Sequence, residues 1–398
     1  MESREIVEAS KDQPNTTRSR LIWMVLLLPV LMASGLLCWP SLSTTPQPAQ
    51  YASRETTFSG SSEKLGQTVV VPTLDSPMPA GRNVVWCSSF QLAWNELRDR
   101  VIGAPLDVRG AKEVAARLNA AKLSASDLDA KSVYVAGGWV EKGIRERIKK
   151  DMAARFPLHE LPDFSSHDGG ILSYSYLTAH VPFQYPFCQA AKGILFTDSE
   201  GTQTPVAGFG LWETGRPWDE KARDQVEILY LKSADERQPW MPTEYALDLC
   251  RHSELYQVVV ARIEPKGSLA ETLEYARSQM ADFGKLPAYN KRLRRFSEMD
   301  KLHVPEMCWR IDHRFAELIN QVIANSSPAM PIVEAFQTIE FRLDRSGASV
   351  ESEAELTVRA VPRLFDFNRP FLVYMQKRGA ERPFFVMWVD NAELLVRK

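Results

Sequence analysis

The chain has 398 residues, of which 44% are hydrophobic and 25% charged, with a formal net charge of −2. Such a composition can bury a large core and excludes an intrinsically disordered chain. The balance of 48 Lys and Arg against 50 Asp and Glu gives no long-range pull toward nucleic acid, and the one concentrated basic run, Lys291 to Arg295, reads as a solvated helix face.

From Leu21 to Pro40 every residue is uncharged and most are apolar, with Arg18 and Arg20 just before and no further Lys or Arg until Arg54. About 20 such residues cross a bilayer as a helix, and the basic flank stays cytoplasmic. Residues 1–20 are therefore expected to be a cytoplasmic leader and 21–40 a transmembrane signal anchor, with the bulk of the chain extracytoplasmic. Ala33-Ser34-Gly35 offers a small-residue cleavage site, so secretion after signal cleavage is the alternative. Residues 41–82, rich in Ser, Thr, Pro, Gln and Gly, read as a flexible tether, and the folded part is expected over 83–398.

Within that body, apolar stripes at helical spacing predict helices over Phe90–Val101, Ala111–Ala121, Ile144–Phe156, Leu269–Met280 and Phe315–Ile323, the first capped by Ser88 or Ser89. Alternating or continuous apolar runs predict strands over Ile171–Val181, Val226–Leu231, Glu254–Ile263, Leu302–Ile311, from Val333 onward, and over Phe384–Val389. The fold class is thus α+β. Between Gly347 and Arg363, Ala348, Val350, Ser352, Ala354, Leu356 and Val358 fall on one face, and Ser349, Glu351, Glu353, Glu355, Thr357 and Arg359 on the other. A period of two marks a strand with one buried face. The pattern fits a mobile segment able to become a strand, and it fits a permanently paired one equally.

Directly after it comes Phe365 to Met375, Phe-Asp-Phe-Asn-Arg-Pro-Phe-Leu-Val-Tyr-Met. This run resembles the C-terminal signature of the serpins, whose cleaved reactive loop inserts into a central sheet: hydrophobic, any, hydrophobic, Asn or Asp, basic, Pro, Phe, then apolar residues. Phe367, Asn368, Arg369, Pro370 and Phe371 carry it here. Upstream, Gln337, Phe341, Leu343, Asp344 and Gly347 stand where the family shows its pre-loop strand, and Gly347 to Phe367 spans 367 − 347 = 20 positions, slightly short for the family's loop.

The resemblance implies a serpin-like fold: large mixed β-sheets with surrounding helices and an exposed loop near the C-terminus, here preceded by one transmembrane helix. It implies a reactive-loop hinge at Gly347, Ala348, Val350, Ser352 and Ala354, and Leu356 and Val358 on the inward face of an inserted strand. The scissile bond implied is Arg359-Ala360, Val361-Pro362 or Arg363-Leu364. The implied partner is a serine protease, trypsin-like if Arg359 is read, or, for a non-inhibitory member, another protein. Four departures stand out. Glu351 and Glu353 interrupt the small-residue hinge, Arg345 replaces an acidic residue, Met387 replaces a Gly, and the family's serine-bearing helix under the central sheet has no evident counterpart. The match is good from about Gln225 to Leu395 and weak before Ile171.

Cys87, Cys188, Cys250 and Cys308 allow three disulfide pairings in an oxidising compartment, or stay as buried free thiols. Cys87, at the start of a helix, is also a candidate nucleophile, with His180, His303 or His313 as base, which would make the chain a cysteine hydrolase. Cys250 and His252 lack companion ligands, and Gly208-Phe209-Gly210 lacks the rest of a phosphate loop, so neither metal nor cofactor is expected.

Overall fold

A computed structural model describes residues 56–162, 164, 169–212, 217–234, 241–285, 291–345 and 363–398, all within one compact unit, Ala49–Lys398. The fold is mixed α+β, with large sheets and few helices. Its largest sheet has seven strands in the order Glu227–Ser233, Pro242–Asp248, Tyr256–Arg262, Phe371–Lys377, Phe385–Val389, Asn83–Cys87, Thr68–Val70. Phe371 to Met375 and Phe385 to Val389 are buried without interruption, which is why their sequences run apolar instead of alternating: both faces are covered.

A second, three-stranded sheet is ordered β1, β5, β6, where β1 is Phe58–Ser61, β5 is Met307–Arg314 and β6 is Phe336–Leu343. In β6, Gln337, Ile339, Phe341 and Leu343 are buried while Phe336, Thr338, Glu340 and Arg342 are exposed, the alternation of a strand with one wet face. β2 (Val133–Trp139) and β3 (Ile171–Leu177) form an antiparallel pair. Helix α2 (Ile144–Arg155) packs on it through Ile144, Ile148 and Met152, four residues apart on one face, against Tyr134, Ala136 and Phe164. Helix α1 (Ser88–Glu96) lies against both β2 and β3 and also touches β6. A four-stranded sheet brings β7 (Leu364–Asp366) parallel to β4 (Lys301–Pro305), which leads directly into β5.

Three expectations are corrected. Residues 56–82, read as tether, belong to the body. β1 pairs parallel with β5, Thr68–Val70 pairs parallel with Asn83–Cys87, and the Glu393 carboxylate accepts the N–H groups of Gly66 and Gln67 and the Thr68 hydroxyl. Phe315–Ile323 is a series of turns with a short strand at its end, because Asn320 adopts φ +64°, a left-handed conformation that stops a helix. Helix α1 begins at Ser88 with Cys87 as its N-cap, and no side chain caps it. The disulfide question is also resolved: Cys87, Cys188, Cys250 and Cys308 are free thiols. The anchor expected over 21–40 lies outside the described residues. Among the described residues no helix is long and apolar enough to cross a bilayer.

Candidate functional site

The first turn of α1 is gripped by strands from two different sheets. From β3, the Ser175 hydroxyl donates to the Ser89 carbonyl, and the Ser173 hydroxyl donates to the Ala93 carbonyl at 2.6 Å. From β6, Gln337 Nε2 donates to Ser89 Oγ at 2.7 Å and to the Cys87 carbonyl at 3.0 Å. Ser89 is thus the meeting point of β3 and β6. Among the described residues β3 is laddered on one edge, to β2, and β6 on one edge, to β5. The two strands share a floor without sharing a ladder.

That floor carries polar groups with no described partner. Gln337, 4% exposed, leaves its Oε1 unbonded, and Ser88, fully buried, leaves its Oγ unbonded. Leaving such groups buried is costly. Opposite Gln337 in register stands His313 of β5. Its Nδ1 is 2.7 Å from the Ser62 hydroxyl, and its ring meets Phe315 edge-on at 4.6 Å. Burial pushes its pKa down to about 4, so the imidazole is neutral at physiological pH. Phe315 in turn lies 4.1 Å from Phe90 of α1.

Beyond β6 the chain is pinned at Arg345, whose carbonyl accepts from Phe187 N and whose Nε donates to Phe187 O, both at 3.2 Å. The Phe187 ring joins those of Phe183 and Phe209, at 4.8 and 5.4 Å. The chain is pinned again at Arg363. Its Nε donates to Asp300 Oδ1 at 2.9 Å, and its other nitrogens to Asp300 Oδ2 and the carbonyls of Leu293 and Arg295. The Arg363 side chain is 11% exposed and that of Asp300 2%.

The residues that carry the C-terminal resemblance, Phe367 to Phe371, follow just beyond. Phe367 is fully buried between Tyr245, at 5.2 Å, and Phe371, at 5.4 Å. The Asn368 carbonyl accepts from Thr197 N at 2.8 Å. Arg369 is exposed and Pro370 half-buried, and Phe371 opens a central strand of the large sheet. The residues expected as hinge and inward face, Gly347, Ala348, Val350, Ser352, Ala354, Leu356 and Val358, and the scissile candidates Arg359, Ala360 and Val361, lie outside the described residues, as do all of 346–362. Their two attachment points lie at opposite edges of one four-stranded sheet, Arg345 beside Cys188–Gln189 and Arg363 beside β4 and β7.

Two components escaped the sequence reading. The serines of Trp86-Cys87-Ser88-Ser89-Phe90 looked like caps, yet Ser89 lies where two sheets meet. Asp300, the partner of Arg363, sits in a stretch with no motif at all. The hydrolase reading of Cys87 finds no support here. Burial raises the thiol pKa, the Ser89 hydroxyl points at its sulfur from 3.8 Å, and the Nδ1 of His313 is spent on Ser62. His303 sits 3.8 Å from Asp366 and against Trp212. Among the described residues no three His, Cys, Asp or Glu side chains cluster as a metal site would require.

No protein-family model matches the chain, and no curated protein matches it by sequence. Among solved structures it is similar to a thyroxine-binding globulin complex with thyroxine, at 11% identity and a TM-score of 0.41, over 78% of this chain and 92% of that one. It is similar also to human glycosylated kallistatin, at 14% identity and a TM-score of 0.40, over the same 78% and 92%. Both are serpins.

Proposed function

We propose that the chain is a membrane-tethered, extracytoplasmic serpin-like protein that traps a trypsin-like serine protease. One observation carries the reading: β3 and β6 are tied to the same turn of α1 through Ser89, and β6 leads directly into 346–362, the stretch whose sequence alternates as an inserting strand must. In this mechanism the protease serine attacks the Arg359 carbonyl, an acyl ester forms, and the peptide bond to Ala360 breaks with the new amine taking the proton. The freed segment then adds as a strand between β3 and β6 with the esterified protease attached.

The energetics support the step. Burying Val350, Leu356 and Val358 yields on the order of 2 kcal/mol each, or roughly 6 kcal/mol, before any new ladder of hydrogen bonds is counted. That is comparable with the whole stability of many domains. Of the three scissile candidates, Arg359-Ala360 suits a trypsin-like enzyme best. Pro362 hinders cleavage after Val361, and the Arg363 side chain is clamped by Asp300 while Leu364 is already paired with Lys301.

The test is to mix the detergent-solubilised full chain with trypsin and look for a covalent adduct that survives SDS. Adduct formation is expected, and its loss in Arg359→Ala. Clean cleavage with no adduct would reject trapping. It would favour the reading to which Glu351, Glu353 and the short loop lean, a non-inhibitory module of the same fold that binds a protein partner.

A further inference from the structure

The edge of β2 that faces away from β3 is plugged on either side of one residue. Ser132 O accepts from Thr178 N, and Val140 N donates to Gly170 O. The even-numbered residues between them therefore turn their backbone groups toward β3, and the odd-numbered ones turn theirs outward. On that outer edge the Val133 carbonyl accepts from Arg155 at 2.7 Å. The Gly137 N–H donates to Glu96 Oε1 at 3.2 Å, and the Gly137 carbonyl accepts from Arg147 at 3.1 Å. Side chains placed in this way keep an edge from pairing with other chains. Between the plugs, the N–H and C=O of half-buried Val135 have no partner among the described residues.

A cleft of about 370 Å³ opens at this gap. Val133, Val135, Ala125 and Ala130 give it an apolar wall, and Arg100 and Arg155 a basic rim. The acid in its lining, Glu96, is engaged by Gly137 and lies 3.8 Å from Arg100, whose side chain is 79% exposed. Arg155 also donates to the Ala130 carbonyl, which holds its guanidinium at the Val133 end of the gap. The gap is thus positive at one end and negative at the other, each about 7 Å along the strand from Val135.

That polarity selects both the kind of chain that fits and its direction. A strand running antiparallel to β2 brings its C-terminus to Arg155, whereas a parallel one would bring it to the Glu96 carboxylate. An antiparallel residue opposite Val135 exchanges both hydrogen bonds with it. Two residues further on, the ladder stops because Arg155 holds the Val133 carbonyl. A chain that ends there leaves no amide stranded and sets its terminal carboxylate against a guanidinium. Its last and third-last side chains then lie on the face of Val133 and Val135, the face that packs toward α1, where the wall is apolar.

We infer that this gap receives the C-terminus of another polypeptide, with apolar residues at its last and third-last positions. The site uses the edge of β2 remote from β3 and does not depend on the trapping reading.

The probe is a fluorescein-labelled hexapeptide, Gly-Ser-Gly-Val-Ser-Val with a free carboxylate, titrated with the detergent-solubilised full chain and followed by fluorescence polarisation. Saturable binding is expected below ~1 mM. The same peptide ending in a carboxamide should bind at least ~10-fold more weakly, since the charge-assisted bonds are lost. Arg100→Gln, at an exposed side chain, should weaken the acid and leave the amide unchanged. Val135→Pro removes the open N–H without touching the ladder to β3 and should abolish binding, with amide exchange over 171–177 confirming that the pair is intact. In the wild type, exchange of the Val135 amide should slow as the peptide saturates. No saturation below ~1 mM, equal affinity for acid and amide, or unchanged exchange at Val135 overturns the inference. N-acetylvaline binding as tightly as the hexapeptide overturns it too, because strand pairing would then contribute nothing.

Discussion

Replacing Gln337 tests whether β6 is held to α1 in the way the geometry implies. Its Nε2 makes two hydrogen bonds, to Ser89 Oγ and the Cys87 carbonyl, worth about 1 kcal/mol each. Its Oε1 is buried without a described partner, which costs about 1–3 kcal/mol in the folded state. Gln337→Leu keeps the shape and removes both contributions, so its net effect on stability should fall within about 1 kcal/mol of zero. Ser89→Ala removes one of the two bonds and relieves nothing, and should destabilise by about 1 kcal/mol. In the double variant the second loss has already been taken, giving a coupling near 1 kcal/mol. Urea unfolding of the four proteins supplies the cycle, and amide exchange over 171–177 and 336–343 should quicken in Gln337→Leu because both strands lose a shared support. A large destabilisation by Gln337→Leu with no coupling to Ser89 would refute the bridge.

Three further outcomes are expected. Asp300→Ala strands the nearly buried Arg363 guanidinium and should cost about 3–5 kcal/mol, measured by urea unfolding, whereas the double change Asp300→Leu with Arg363→Met should recover most of that loss. His313, with a pKa near 4 in the fold against an ordinary value of 6.5, contributes stability that is complete above the unfolded value and lost as pH falls toward the folded one; between pH 7 and 4 the wild type should lose up to ~3 kcal/mol more than His313→Gln. Cys87 and Cys250 should resist alkylation at pH 7 in the native protein, since burial raises the first thiol and holds the second up to about 12, and Cys87→Ser should leave any hydrolysis of model substrates unchanged.

Much of the C-terminal half was legible because its signals are local. Tyr256–Arg262, Phe371–Lys377 and Phe385–Val389 form where apolar runs predict strands, and the helical periodicity over Leu269–Met280 becomes a helix that extends to Gly284. The N-terminal edge was not legible, since β1 is mostly polar and both β1 and Thr68–Val70 are brief. They are strands because β5 and Asn83–Cys87 supply parallel partners, and because Glu393, more than 320 residues away in sequence, gathers Gly66, Gln67 and Thr68. Phe315, Leu318 and Ile323 imitate a helical stripe, and a single left-handed residue, Asn320, defeats it.

The site divides along the same line. The alternation from Ala348 to Val358 shows that the segment can be a strand, and it has the same form whether that strand is permanent or latent. What distinguishes the two is the company the segment can join, and that is a property of β3 and β6. Those strands lie in separate stretches of sequence and meet only because Ser175 and Gln337 bond the same residue, Ser89. A serine at the start of a helix looks like a cap in any sequence. Here α1 is capped by no side chain, and the hydroxyl freed from that role ties β6 to the floor that β3 already occupies. On the proposed reading, the capacity for insertion is written locally in 347–358, while the place for it rests on three residues more than 80 positions apart in the chain.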